Sequence, residues 1–174
     1  MDTIVDNEQV DIVNEQDRIL YSTSKIKAHQ DGLLHRCVIA EVINSKSEWL
    51  MVQQSSDRQE PGKLVSPMGG HVSSGESNED ALKREMIEEL GISTLKYKYI
   101  GKCIYNVEVL GRRENHYFIV FEVHSDQEPV LSHEAQSYKR FTKEELKKAL
   151  KQTPEIFGNA FFPIVDNLYP DLIR

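Results

Sequence analysis

A glycine-containing loop that runs directly into an acidic helix constrains the fold of this chain more than any other stretch. The loop covers residues 70–76. Ser77 is a favourable N-cap residue, and Asp80 three positions later completes a capping-box pattern. Gly91 stands where a left-handed C-cap is expected. These signals predict a helix from about 78 to 90.

Three carboxylates lie on one side of this predicted helix. Glu85, Glu88 and Glu89 are spaced i, i+3 and i+4, so their side chains converge. Like charges at this spacing cost roughly 0.2–0.5 kcal/mol per pair on an exposed helix, and a bound cation would remove that cost. Oxygen ligands favour a hard ion, Mg²⁺ first and Mn²⁺ second. The alternative is a solvated acidic helix face that binds nothing.

The spacing of the glycines and charges extends beyond these three carboxylates. Fixed intervals separate the specified positions of residues 70–92, which are Gly70, Glu76, Arg84, Glu85, Glu88, Glu89 and Gly91. This pattern resembles the Nudix box at every specified position. The resemblance implies an α/β fold, a Nudix α/β/α sandwich with a mixed β-sheet. It also implies a pyrophosphohydrolase, which hydrolyses a diphosphate linked to another group with the help of a divalent metal.

The resemblance also suggests roles for residues around the helix. In the family, the carbonyl of the residue before the box glycine commonly joins the metal, which by position is Gly69. Glu76 would help to hold the metal site, and Arg84 would orient a catalytic carboxylate. A structural ion pair between Glu76 and Arg84, tying the loop to the helix, is the other interpretation.

A carboxylate must accept the proton of the attacking water in such a reaction. Glu88 and Glu89 are the first candidates for this base. Glu134, on a later loop, is a second candidate, and its alternative is an exposed loop acid. A diphosphate also needs cations beyond the metal, and the basic candidates for that role are Arg36, Arg58, Lys63, Arg112 and Arg113.

One branch of the superfamily is similar over most of the chain. Residues 27–36, 70–71 and 75–81 are similar to isopentenyl diphosphate isomerase. That enzyme binds a metal with three histidines and two glutamates. The corresponding positions here form a candidate second metal site, made of His29, His35, His71, Glu114 and His116.

This candidate site departs from the isomerase pattern. Glu114 matches one glutamate position, but His116 stands where the other glutamate is expected. Imidazole ligands suit Zn²⁺ or Mn²⁺, and unmetallated loop or strand histidines are the alternative. Gly69 occupies the place of the isomerase's catalytic cysteine, and by position neither Cys37 nor Cys103 takes that role. The scaffold is therefore isomerase-like, and the complete box favours hydrolysis.

The length of the chain suits one domain, and the resemblance implies that residues 1–174 form a single Nudix domain. An N-terminal hairpin is expected at about 9–23, and a second hairpin is expected to join strands 34–43 and 49–54. Further strands are expected at 96–109, 116–124 and 137–141. Two helices should close the chain, one capped by Thr142 and one from Ile156 to Leu168.

Composition limits the partners of the chain. Its formal net charge is −7, which argues against binding a nucleic-acid polymer. The acidic N-terminus has no signal-peptide pattern and no apolar run approaches membrane-spanning length, so we expect a cytoplasmic protein without membrane contact. A small-molecule diphosphate, such as a nucleoside diphosphate derivative, is the expected substrate. Alternatives are an isomerase-like enzyme and a non-catalytic diphosphate-binding module, and a homodimer is compatible with the sequence.

Overall fold

The computed structural model describes residues 8–93, 96–109 and 111–174. The strands of these residues are, in chain order, β1 (Gln9–Val13), β2 (Ile19–Ser24), β3 (His35–Ile43), β4 (Trp49–Gln54), β5 (Leu64–Val65), β6 (Met68–His71), β7 (Lys96–Val109), β8 (Arg112–His124) and β9 (Ala135–Phe141). The α-helices are α1 (Lys25–Asp31), α2 (Asn78–Leu90), α3 (Lys143–Gln152) and α4 (Phe161–Leu168). Short 3₁₀ turns lie at Pro154–Ile156 and Pro170–Leu172.

Strand β3 lies at the centre of a mixed sheet. It pairs in parallel with β8 over its whole length and antiparallel with β6. β8 pairs antiparallel with β7, and the β1–β2 hairpin adjoins the start of β3. β3 has strands on both sides and helices on both faces, so it is buried. Its sequence is accordingly a nearly continuous run of apolar residues, as is typical of buried parallel strands.

The two faces of β3 contact different helices. Val38 and Ala40 share a buried cluster with Leu82 of α2. Ile39, whose side chain points to the opposite face, clusters with Ile164 of α4. This alternation buries both faces of the sheet, and the α/β sandwich with a mixed sheet is confirmed.

Helix α2 has the bounds that the sequence predicts. Ser77 Oγ accepts a hydrogen bond from the Asp80 amide at 3.1 Å, which satisfies one of the free donors of the first turn. Gly91 adopts a φ of 64°, and its amide donates to Ile87 O. The caps are local in sequence, which is why local signals locate the ends of this helix.

Two expectations about the other elements are met only in part. The expected turn does join β3 to β4, and the Asn44 amide donates to Glu48 O across it, but the two strands pair only at Ile43 and Trp49, and β4 pairs along its length with β9. The last helix begins at Phe161 rather than Ile156, because Phe157 enters the core and Gly158 donates its amide to Leu64 O. Among the described residues, no helix is long and apolar enough to span a membrane.

Helix α3 begins with a complete capping box. Thr142 Oγ1 accepts from the Glu145 amide at 3.2 Å, and the Thr142 amide donates to Glu145 Oε2 at 2.8 Å. We expect Thr142→Ala to lower the free energy of unfolding by about 1 kcal/mol, because one amide loses its acceptor. Urea unfolding measures this, with Lys148→Ala on the exposed face of α3 as the matched control. Equal stability of Thr142→Ala and the parent would contradict the role of the cap.

Candidate active site

Strand β6 and helix α2 bring the box glycines against the carboxylates. A Cβ atom on Gly70 would lie 2.1 Å from Glu85 Cδ, which is closer than two non-bonded carbon atoms can approach. The Gly69 amide points at Glu89 Oε2, at a donor–acceptor distance of 3.4 Å. Glycine at position 70 is therefore what lets Glu85 lie directly on the strand.

The three carboxylates of α2 differ in their exposure to water. The side chain of Glu88 is 58% exposed and that of Glu85 only 12%. Burial and the neighbouring Glu85 and Glu134 carboxylates raise the pKa of Glu89 to about 8. Burial also raises the pKa of Glu85, although its ion pair with Arg84 opposes the rise. Ionising both carboxyls would place poorly solvated negative charge in one place, which is unfavourable unless a cation joins it.

Arg84 and Glu76 form an ion pair that ties the loop to α2. Arg84 Nε and Nη2 each lie 2.9 Å from a Glu76 oxygen, and Nη2 also donates to His71 O. These bonds lower the pKa of Glu76. Glu76 is therefore engaged with Arg84, as the structural interpretation expects. The Arg84 guanidinium also donates to Glu85 at 2.6 Å and so positions that carboxylate.

A polar cleft of about 620 Å³ opens beside these carboxylates. Arg58 and Glu134 form an ion pair on its opposite wall, and Arg112 lines it near Glu114. Two of the five expected phosphate-binding cations, Arg58 and Arg112, are therefore in the cleft. Lys25 also lines it, and no motif in the sequence distinguishes that lysine.

The other three cations do not line this cleft, and their role in substrate binding stays a prediction. Arg36 is held by Asp17, to which its Nε donates at 2.6 Å. Lys63 donates to the Glu155 carbonyl. The Arg113 stem packs against Gly32, and Nη1 of Arg113 lies 3.5 Å from Asp31 O. Long basic side chains reach acceptors that only the folded chain brings near, and sequence proximity to the box does not report this.

A second, apolar cavity of about 210 Å³ adjoins the cleft. The residues that line it include Leu90 of α2, Phe118 of β8 and Ile164 of α4. Glu89 and Gly69 line both cavities, so an apolar group and a phosphate could be bound side by side. Cys37 lines this cavity as well, although sequence position gave it no role. Burial raises the pKa of its thiol well above the ordinary value, so the thiol is neutral.

The histidines of the candidate second metal site lie together. One ring nitrogen from each of four histidines lies within 4.8 Å of the others, and these histidines are His29, His35, His71 and His116. The parallel register of β3 and β8 places His35 beside His116. Burial lowers the pKa of all four, to about 4 for His29 and His35, so the rings are neutral and can bind a metal.

Glu114 connects this histidine cluster to the loop of residues 55–62. Its Oε1 accepts a hydrogen bond from Gln59 Nε2 at 2.8 Å and forms an ion pair with Arg112 Nε at 3.0 Å. Its Oε2 lies 3.2 Å from His116 Nε2. Sequence reasoning did not select Gln59, because a polar loop glutamine carries no motif and its partner is 55 positions away.

Comparisons with known proteins show what this chain is similar to. A family model described as NUDIX domain matches residues 33–159. The chain is 31% identical over 166 residues to the isopentenyl-diphosphate Delta-isomerase of Photobacterium profundum, with 91% of this chain and 92% of that protein covered. It is 34% identical over 131 residues to the uncharacterized Nudix hydrolase all7351 of Nostoc, covering 71% and 73% of the two proteins. The crystal structure of DR0079 from Deinococcus radiodurans has the same fold, with a TM-score of 0.75, 24% identity, and 93% and 99% coverage.

Proposed function

We propose a metal site and a substrate class for this chain, which belongs to the NUDIX family and is a Nudix pyrophosphohydrolase. The proposed reaction is hydrolysis of the diphosphate linkage in a nucleoside diphosphate derivative or a related compound. The proposed cofactor is a divalent ion, Mg²⁺ before Mn²⁺, bound by α2 carboxylates. One observation carries the proposal, namely the carboxylates of Glu85 and Glu89 crowded against the glycine strand β6 and facing a polar cleft.

The donors of α2 fit a hard divalent ion. Glu85, Glu88 and Glu89 offer only oxygen, and the Gly69 carbonyl is the proposed fourth protein donor. Among the described residues, Glu89 accepts one hydrogen bond, the 3.4 Å contact from the Gly69 amide, and its side chain is only partly exposed. A half-buried carboxylate with so little compensation is a better cation ligand than a structural residue. Glu76 is not in this proposed ligand set, because Arg84 and the Ser73 amide occupy its oxygens.

The chemistry can be assigned to named side chains. A bound divalent ion supplies charge neutralisation of the phosphoryl oxygens and lowers the pKa of a water. Arg84 holds Glu85 in place, and Arg58 and Arg112 offer positive charge to the remaining phosphate oxygens. Glu89, with Glu88 and Glu134 as the competing candidates, accepts the proton of the attacking water.

The adjoining apolar cavity is the proposed site for the group that the diphosphate carries. It is continuous with the polar cleft at Gly69 and Glu89. An organic group with an apolar face, such as a nucleobase, loses water-exposed surface when it enters this cavity. Differences in that contact area would distinguish one diphosphate from another.

A metal-dependent product assay tests the proposal. We expect purified protein with Mg²⁺ to release phosphorylated products from at least one member of a panel of nucleoside diphosphate sugars, dinucleotides and dNTPs. The activity should stop on addition of EDTA and return with excess Mg²⁺. Binding of the same compounds without any turnover would instead indicate a non-catalytic diphosphate-binding module.

The second candidate function is isomerisation of an isoprenoid diphosphate. Its support is the apolar cavity, together with the likeness to the isomerase of Photobacterium profundum. Gly69 at the place of the isomerase's cysteine opposes it. Isopentenyl diphosphate belongs in the same assay panel, with NMR detection of double-bond migration. Migration without release of phosphate would replace the hydrolase proposal.

A further inference from the structure

Each cationic side chain that the structure places in the polar cleft already has a carboxylate partner. Four ion pairs of this kind line the cleft among the described residues. They join Lys25 to Glu8, Arg58 to Glu134, Arg84 to Glu85 and Arg112 to Glu114. A phosphate that binds in the cleft through a side-chain cation must therefore share that cation with a carboxylate or displace the carboxylate from it.

The four pairs differ in how firmly they are held. Arg84 also donates to Glu76 and to a backbone carbonyl. The side chain of Glu114 is only 5% exposed. Of the four described pairs, only that of Arg58 with Glu134 has both side chains substantially exposed, at 32% and 44%. Because water-exposed ion pairs contribute little to stability, this is the pair that a phosphate displaces most readily.

A buried nitrogen of Arg58 has no hydrogen-bond acceptor among the described residues. This atom is Nε, whereas the contacts of Arg58 with Glu134 and with His133 Nε2, the latter at 3.3 Å, both involve Nη2. Buried polar atoms are nearly always paired, so an unpaired donor indicates an absent partner. A guanidinium binds phosphate through two parallel N–H bonds, and Nε with Nη2 forms such a fork. The pair with Glu134 therefore leaves half of this fork unused.

Arg58 lies where the polar cleft meets the apolar cavity. It lines both of them, together with Gly69 and Glu89. A phosphate bound to Arg58 is therefore the one that carries the organic group, since that group enters the adjoining apolar cavity. Burial raises the pKa of Glu89 to about 8, the negative Glu134 adds to the rise, and the positive Arg58 opposes it. Both partners of the ion pair thus act on a carboxylate that the proposed metal would bind.

The two loops that carry Arg58 and Glu134 are also joined through the backbone. The Ser55 amide donates to Glu134 O at 2.9 Å, and Ser55 Oγ donates to His133 O at 2.8 Å. These hydrogen bonds do not depend on the ion pair. The Arg58 and Glu134 side chains can therefore separate by rotation about their own bonds while the loops stay in place.

We propose that Arg58 and Glu134 form an exchange latch, in which the substrate phosphate next to the organic group displaces the Glu134 carboxylate from Arg58. The displaced carboxylate is released beside Glu89, where it can bind a divalent ion or accept the proton of the attacking water. Phosphate binding and the release of this carboxylate are thereby coupled. The ligand class, a diphosphate attached to an organic group, rests on the proposed function.

A double-mutant binding cycle tests the latch. Isothermal titration calorimetry with Mg²⁺ and methylenediphosphonate, a diphosphate analogue that has no hydrolysable P–O–P bond, measures Kd for each variant. We expect Arg58→Met to weaken binding by about 10- to 100-fold, because a charge-assisted fork is lost. Glu134→Gln should tighten binding by about 2- to 5-fold, because a neutral amide competes less for Arg58. In the Arg58→Met background, Glu134→Gln should have no effect.

Two exposed positions outside the cleft provide matched controls. Arg18→Met and Glu155→Gln repeat the two charge changes and should leave Kd at the parent value. Thermal unfolding should give Arg58→Met and Glu134→Gln a Tm close to that of the parent, because the pair is exposed. Arg58→Lys, which keeps the charge but not the fork, provides the same cycle if Arg58→Met does not fold.

The cycle separates this inference from the proposed reaction. A gain in affinity from Glu134→Gln that is equal in both backgrounds would overturn the latch, because it would reflect only a general change in charge. Unchanged binding in Arg58→Met, or no binding of the analogue by the parent, would overturn it equally. Coupled binding without turnover of the substrate panel would remove the hydrolase and leave the latch, and turnover with an additive cycle would do the reverse.

Discussion

Replacing Glu89 with glutamine is expected to lower kcat for diphosphate hydrolysis by about 10²- to 10⁴-fold. The amide keeps the shape of the side chain but removes the charge that binds a cation or accepts a proton. Glu89 is the α2 carboxylate that lines both the polar cleft and the apolar cavity. Steady-state kinetics with saturating Mg²⁺ on the best substrate of the panel measures the loss.

Stability distinguishes this functional loss from a folding defect. Glu89→Gln in EDTA should unfold at a temperature no lower than the parent, because a neutral amide does not repel Glu85 and Glu134. Glu79→Gln, an exposed position in the first turn of α2, should keep the parent's kcat. Full activity of Glu89→Gln would contradict the proposed role, and comparison with Glu88→Gln and Glu134→Gln would identify the carboxylate that accepts the proton.

Replacing Glu41 with glutamine is expected to stabilise the protein above neutral pH by about 3 kcal/mol. Glu41 is fully buried on β3, and burial raises the pKa of its carboxyl from 4.5 to about 7. Ser66 donates to its Oε1 at 2.6 Å, whereas Oε2 and the buried hydroxyl of Tyr169 have no hydrogen-bond partner among the described residues. The negative Glu122 on the adjacent strand β8 raises the pKa further.

The effect at Glu41 has a defined pH window. The pKa of the Glu41 carboxyl is higher in the folded protein than in the unfolded chain. Its contribution to stability is therefore fully present below pH 4.5 and is lost as the pH rises past about 7. Glu41→Gln and the parent should therefore have similar unfolding free energies near pH 4.5 and should differ most above about pH 7. Urea unfolding at several pH values measures this, with the exposed Glu155→Gln as control. A difference that does not change with pH would refute the explanation.

Local signals predicted the parts of the fold that are stabilised locally. The caps of α2 and α3 satisfy amides within three or four residues, so the positions of Ser77 and Thr142 were enough to locate both helices. The bounds of β7 and the end of β8 agree with the prediction, whereas β8 begins at Arg112 rather than at residue 116. The break before α4 was missed, because Phe157 and Gly158 are held by the distant Leu64.

The sequence did not predict the pairing of distant strands either, because this pairing depends on contacts between residues that are far apart in the chain. A short turn between apolar strands predicts strands that pair along their length, yet β3 pairs with β6 and β8, and β4 pairs with β9. Similarly, the sequence made Arg36 as good a candidate for phosphate binding as Arg58. Only the folded chain places Asp17 against Arg36 and directs Arg58 into the cleft.

By itself, the sequence determined the family, the acidic helix with its caps, and the residues from which both candidate metal sites are built. A contiguous motif and helical periodicity are sufficient for these, because they act over a few residues. The tertiary structure decided which of those residues meet. It excluded Arg36, Lys63 and Arg113 from the cleft, engaged Glu76 with Arg84, and brought His116 to the other histidines through the register of β3 and β8. Such contacts depend on strand register and side-chain burial, which are settled by the packing of the whole chain.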